Sequence, residues 1–224
     1  MNRRLAILWH STIGKKAVMA VTGLVLVLYL LSHVLANLLV FDGPDRINRY
    51  AALLHGTGAA LWGARLVLLV ALILHIVAAV QLTLRSRAAR PQSYVAGRDP
   101  QVSTLASRTI RWGGALILVF LVYHILHFTT GEVHPNFIEL NPYHNVSTGF
   151  RNPWVAAFYL LAMVAVGLHL YHGVWSSGRS LGVSQPSPRP LHRRLALVLA
   201  GFVWLGFTAI VVAGYLGMFG AGSP

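Results

Sequence analysis

The sequence predicts an all-α integral membrane protein built on five transmembrane helices, and three observations carry that prediction. Of 224 residues, 56% are apolar and 10% are charged, against about a quarter charged in a soluble domain. Five stretches come close to or exceed the roughly 20 apolar residues that cross a bilayer core of about 30 Å. The basic residues gather in alternate connections between those stretches. This composition excludes an ordinary water-soluble enzyme. The absence of cysteine also excludes a disulfide, a thiolate metal site, an iron–sulfur cluster or a covalently attached c-type haem in this chain.

The predicted spans follow from the apolar runs and the charges that bound them. The first, 17–40, starts after Lys15 and Lys16, and the second, 59–84, stops at Arg85. The third, 112–130, lies between Arg111 and Gly131, and the fourth, 154–176, stops before Gly178 and Arg179. The fifth, 195–219, follows Arg193 and Arg194. The Pro- and Ser-rich stretch 185–190 reads as a loop, and residues 1–224 read as a single domain. The first 16 residues lack a separate apolar segment with a small-residue cleavage site, so the first span is expected to be retained.

The formal charge of +13, from 18 Lys and Arg against five Asp and Glu, would suggest nucleic acid in a soluble protein. Its distribution points to a membrane instead. With the N-terminus in the cytoplasm, 14 basic residues fall inside: Arg3, Arg4, Lys15, Lys16, Arg85, Arg87, Arg90, Arg98, Arg108, Arg111, Arg179, Arg189, Arg193 and Arg194. The opposite side keeps Arg46, Arg49, Arg65 and Arg151, together with Asp42, Asp45, Glu132 and Glu139, leaving Asp99 as the one inner acid. The positive-inside rule therefore predicts N-terminus in and C-terminus out. Topology and contact with anionic lipid account for the basic runs, with no nucleic-acid role.

Within the spans there is no Asp, Glu or Lys; the ionisable groups are Arg65 and His33, His75, His124, His127, His169 and His172. Such residues inside a membrane are costly and mark functional sites, although any one of them can serve as an interhelical hydrogen-bonding group. Depth decides which can share a ligand. His33 lies eight residues before Phe41 and His124 seven before Gly131, so both sit about 10–12 Å below the outer end at 1.5 Å per residue. His75 lies ten residues before Arg85 and His169 nine before Gly178, about 14–15 Å above the inner end. His127 and His172 stand one turn from His124 and His169, on the same face but at a poorer depth match. They are expected to bond to propionates or quinone, or to pack in the bundle.

Two imidazoles per level suit haem. Zinc takes three or four protein ligands and non-haem iron adds a carboxylate, whereas a porphyrin leaves only two axial positions to fill. The first four helices are thus expected to form a bundle holding one haem between His33 and His124 and a second between His75 and His169, about 10 Å apart along the membrane normal. Gly23, Ala36, Gly113, Gly114, Gly167 and Gly173 give room for a flat ring, or for close helix packing.

The ordered set of motifs Ser11-Thr-Ile-Gly-Lys-Lys16, Thr22-Gly23, Ser32-His33-Val-Leu-Ala-Asn37, Leu74-His75, Tyr123-His124, Asn141-Pro-Tyr-His-Asn145 and His169-Leu-Tyr-His-Gly-Val-Trp-Ser176 resembles a known family. It is similar to the five-helix, di-haem cytochrome b anchor of succinate:quinone oxidoreductases and quinol:fumarate reductases, over about residues 10–219. The resemblance implies axial ligation of the outer haem iron by His33 and His124 and of the inner one by His75 and His169. It implies two haem b, quinone as substrate with menaquinone the expected type, and a bacterial cytoplasmic membrane location. The implied partners are a flavoprotein and an iron–sulfur subunit on the inner face, with no flavin or succinate site in this chain. Candidate quinone or propionate neighbours are His10, Ser11, Lys15 and Lys16 inside, and His55 with Arg49 and Tyr50 outside. No catalytic residue is assigned. As loop residues, His55, His134, His144 and His192 are expected to be solvated.

Two alternatives stand beside this reading. One is a haem b subunit of another membrane oxidoreductase, of formate dehydrogenase or hydrogenase type. The other is a haem-free anchor or transporter whose histidines bond between helices, although broken helices or intramembrane carboxylates, the usual marks of transporters, are not evident.

Overall fold

The structure is a computed structural model and describes residues 9–89, 104–183 and 191–220. The expected loop 185–190 and the charges at Arg3, Arg4, Arg90, Arg98, Asp99 and Arg189 lie outside them. The described residues are all helical or irregular, as an all-α integral membrane protein requires. Five helices are long and apolar enough to cross a membrane: α1 (Thr12–Leu38), α3 (Ala59–Ala88), α4 (Leu105–Phe128), α6 (Pro153–Ser180) and α7 (Leu191–Leu216). Two shorter ones, α2 (Pro44–Gly56) and α5 (Pro142–Gly149), lie in the connections after α1 and α4.

Most long helices outrun their apolar cores at the arginine-rich end. α1 starts at Thr12 and α4 at Leu105, several residues before the apolar runs begin. The reason is local: Ser11 caps α1 by accepting from Gly14 N–H at 2.8 Å, and Thr104 caps α4 by accepting from Ser107 N–H at 3.2 Å. A side-chain oxygen that satisfies one of the free N–H groups of the first turn sets a helix start. Hydropathy alone does not register this signal. α6 begins at Pro153, where a proline loses no hydrogen bond, with Asn152 accepting from Trp154 N–H.

α2 and α5 correct the picture of plain polar loops. Gly43, at φ 98°, turns the chain out of the 3₁₀ turn Leu39–Asp42 and into α2; that left-handed conformation suits glycine. α5 is capped by Asn141, whose side chain accepts from His144 N–H at 3.1 Å. Asn48 on α2 clamps the two short helices together, donating to Asn141 Oδ1 at 3.0 Å and accepting from Tyr143 N–H at 3.1 Å.

α6 lies at the centre, packed on α7, α4 and α1, while α3 packs principally on α1. The fifth span belongs to the core: Ala200, Val203, Ile210, Val211 and Ala213 of α7 are buried with Val34, Ala162, Met163 and Val166. Small residues let backbones approach, as at Gly167, which sits against Trp204. The outer surfaces of these helices carry exposed Leu, Val, Ile and Trp side chains, among them Leu28, Trp62, Leu66, Trp112, Val119, Leu161, Leu197 and Leu205. Water penalises such a surface at about 25 cal/mol per Å² and lipid does not. A multi-pass membrane protein follows from that surface and the five spans together.

Candidate functional site

Of the six intramembrane histidines, four, one from each of four helices, meet in two pairs. His33 on α1 and His124 on α4 have ring centroids 5.9 Å apart at an interplanar angle of 89°. His75 on α3 and His169 on α6 have centroids 6.2 Å apart at 57°. Two imidazoles bonded to one iron from opposite sides, each at a metal–nitrogen distance of about 2 Å, carry their ring centres about 6 Å apart. Among the described residues no group of three or more His, Cys, Asp or Glu side chains is arranged to hold a metal ion, so each pair offers two protein ligands.

The second partners of these rings differ. His75 Nδ1–H donates to the Met19 carbonyl of α1 at 3.1 Å, with Thr22 Oγ1 at 3.4 Å. That bond fixes the tautomer and leaves Nε2 as the lone-pair nitrogen. Thr22 is itself held by donating to the Val18 carbonyl at 2.7 Å. His33 stacks on Tyr29 at 5.2 Å and approaches Phe207 of α7 at 5.5 Å. Its Nδ1 lies 3.4 Å from the Asn37 amide, which donates to the His33 carbonyl at 2.8 Å. His124 Nδ1 lies 3.4 Å from Tyr159 Oη.

The space beside the rings bears on whether a planar prosthetic group fits. His169 Nδ1 is buried with no hydrogen-bond partner, as is His172 Nδ1; an iron held at Nε2 would leave both atoms unchanged, so they do not bear on the fit. Glycines flank the ligand candidates: a Cβ on Gly23 would stand 3.2 Å from His75 Cε1, and one on Gly114 would stand 3.7 Å from His169 Cε1. Gly113 and Gly173 face open space instead. An apolar groove of about 220 Å³ runs between α4 and α6, with Thr109, Trp112, Leu116, Leu161 and His169 in its walls. The donor set at each level, two imidazoles and no third ligand, is the set that a haem takes, and the groove leaves room beside His169 of the inner pair.

His127 and His172 do not join the pairs. His127 is 1% exposed, and its Nδ1 lies 3.0 Å from Tyr159 Oη. His172 meets Trp175 edge-on at 5.9 Å. Arg179 and Arg193 lie over that same tryptophan, at 5.6 and 4.5 Å from its ring centre.

The remaining candidates take separate places. Ser11 is a helix cap, and Lys16 and His10 are exposed. Lys15 is buried; its Nζ donates to Gln81 Oε1 of α3 and lies 5.0 Å over the Trp9 ring. Arg85 donates to the His10 carbonyl at 3.0 Å, which ties α3 to the residues just before α1. At the other end Arg49, Tyr50 and His55 are exposed on α2, and His55 Nδ1–H donates to the Ala51 carbonyl at 2.9 Å, one turn back on its own helix.

His134 departs from the expectation of a solvated loop residue. It is buried and stacked 4.8 Å from His127. Its Nδ1 accepts from Asn136 N–H at 3.1 Å and its Nε2–H donates to the Asn145 carbonyl at 3.0 Å, so both ring nitrogens are satisfied and the ring packs as a core element. Gly149 makes this possible, since a Cβ there would sit 2.9 Å from His134 Nε2 and 3.0 Å from His127 Cε1. His144 is bonded through Nε2–H to the Asn136 carbonyl at 3.0 Å, and His192 is half-buried on α7.

Tyr159, not singled out by the sequence, lies between His124 and His127. Its signal was hidden because a tyrosine in an apolar run reads as core, and its partners stand 32 and 35 positions away. Comparison with family models, with curated proteins and with solved structures found no match for this chain.

Proposed function

We propose that this chain is the membrane-anchor cytochrome b subunit of a succinate:quinone oxidoreductase, the part of that enzyme that reacts with quinone. The observation that carries the reading is the pair of two-histidine clusters, each with the ring separation that axial ligation requires. The ordered motifs Ser11–Lys16, Ser32–Asn37 and His169–Ser176 support the choice of family. Two haem b groups would be held, one by His33 with His124 and one by His75 with His169, each supplying one-electron transfer within the membrane.

The chain's own residues prepare those positions. Met19 orients His75 through its carbonyl, and the Thr22 hydroxyl stands beside the same nitrogen. Tyr29 and Phe207 wall the His33 ring, and Phe120 and Phe128 wall His124 at 5.6 and 5.9 Å. The arginine-rich end, with Lys15, Arg85, Arg179 and Arg193, is assigned to the cytoplasmic face of a bacterial membrane, where a flavoprotein and an iron–sulfur subunit would dock. Quinone, of menaquinone type, would take electrons from this subunit.

A reduced-minus-oxidised absorption spectrum with haem quantification on the purified complex tests this reading. The expected result is a b-type signal at two haems per chain, falling to one on His75→Ala. Haem-free protein would overturn the assignment.

A further inference from the structure

We infer that Tyr159 is a positioning residue for His124: its hydroxyl receives the His124 Nδ1–H and passes its own hydrogen bond to His127, and this chain lowers the reduction potential of the haem held by His33 and His124. The inference rests on the di-haem reading above and deepens it.

Proton accounting gives the chain its direction. A histidine that bonds iron through Nε2 keeps its hydrogen on Nδ1 and can only donate there. Tyr159 Oη, 3.4 Å from His124 Nδ1, must then accept. Its own O–H is left to donate to the other nitrogen in reach, His127 Nδ1 at 3.0 Å. His127 accordingly carries its hydrogen on Nε2. Each bond polarises the next in a buried environment of low dielectric, so electron density moves toward the His124 imidazole. A more basic axial imidazole favours the oxidised iron.

The geometry holds the hydroxyl in place. Tyr159 is 3% exposed and its ring meets Phe120 and Phe150 edge-on, both at 5.0 Å. A phenylalanine would fill that cage as well, and a buried hydroxyl costs free energy unless it is bonded. Packing alone therefore does not call for the oxygen. The other candidate ligands have no such chain: His75 meets a backbone carbonyl, His33 an amide, and His169 Nδ1 no partner.

The test is a spectroelectrochemical measurement on the intact purified complex, comparing wild type, Tyr159→Phe and His127→Leu, with haem quantified in each. Tyr159→Phe is expected to retain two haems and to raise the potential of one, the other being unchanged. The expected size is up to about tenfold in the oxidised-to-reduced ratio at a set potential, which is about 59 mV for one electron. His127→Leu, which leaves the hydroxyl but removes its acceptor, is expected to shift the same haem upward by less. Repeating the measurement in the His75→Ala background, which keeps only the His33–His124 haem, identifies the one that moves.

Two bound haems with unchanged potentials in Tyr159→Phe, or a downward shift, would overturn the inference while leaving the di-haem reading intact. If Tyr159→Phe loses haem, His127→Leu decides: an upward shift supports the chain and no shift overturns it. Wild-type protein without haem would overturn the underlying reading itself.

Discussion

Replacing Gly149 by alanine probes how rigidly the α2 and α5 end of the bundle is built. The added Cβ would stand 2.9 Å from His134 Nε2 and 3.0 Å from His127 Cε1. Neither ring is a flexible tip. His134 is bonded at both nitrogens, His127 is bonded to Tyr159, and both are buried. Overpacking of this kind costs about 1–3 kcal/mol. Alanine in place of glycine inside a helix returns at most about 1 kcal/mol, and less here because Gly149 is the last residue of α5. The net expectation is a loss of about 1–2 kcal/mol. For a chain of this length, each kcal/mol moves Tm by about 2–4 °C. Gly149→Ala should therefore unfold about 2–8 °C below wild type in the same detergent, followed by circular dichroism. Gly201→Ala in α7 is the control, since nothing lies within 4 Å of its Cβ, and it should hold or raise Tm. A Gly149→Ala protein as stable as that control would refute the reasoning, because the two imidazoles would then yield at no cost.

Further expectations follow from other contacts. Asn145→Ala removes the side chain that accepts from Ile138 N–H at 2.9 Å and donates to its carbonyl at 2.8 Å; a loss of about 1–3 kcal/mol should appear in the same thermal assay, and an unchanged Tm would contradict it. His172→Ala should retain both haems in a pyridine haemochrome assay, since the ring stands apart from the His75–His169 pair; loss of one haem would reassign the ligand. Gln81→Leu strands the buried Lys15 amine and should destabilise the protein, whereas Lys15→Met combined with Gln81→Leu should recover much of the loss, because matched apolar residues can replace a buried polar pair. Additive losses in that double-mutant cycle would count against the contact.

Much of this architecture was legible because two periodicities are fixed. A membrane core demands about 20 apolar residues of helix, and five runs of that kind stand out from 17–40 to 195–219. The 1.5 Å rise per residue makes depth countable, which is why the sequence sets His33 against His124 and His75 against His169. The short helices α2 and α5 were hidden because they are not apolar runs; their starts depend on Gly43 and Asn141, which read as turn residues until their partners are seen. His134 was unreadable for a similar reason. Its burial depends on a glycine 15 positions later in the sequence leaving space for the ring, a relation no local pattern encodes. Tyr159 posed the converse problem, since its hydroxyl acquires meaning only from two imidazoles on another helix.

The bond from His75 to the Met19 carbonyl has a mechanical corollary. Smooth greasy cylinders can slide or screw past one another at little cost, for lipid tails offer the same contacts at every offset. A directional bond from the middle of α3 to the backbone of α1 permits only one vertical setting, because advancing α1 by a single residue displaces that carbonyl by 1.5 Å and swings it through about 100°. With the Lys15–Gln81 bond joining the same two helices near one end and Arg85 holding the His10 carbonyl just before α1, a piston-like displacement of α1 against α3 would have to break these bonds, so the pair is expected to move as a unit.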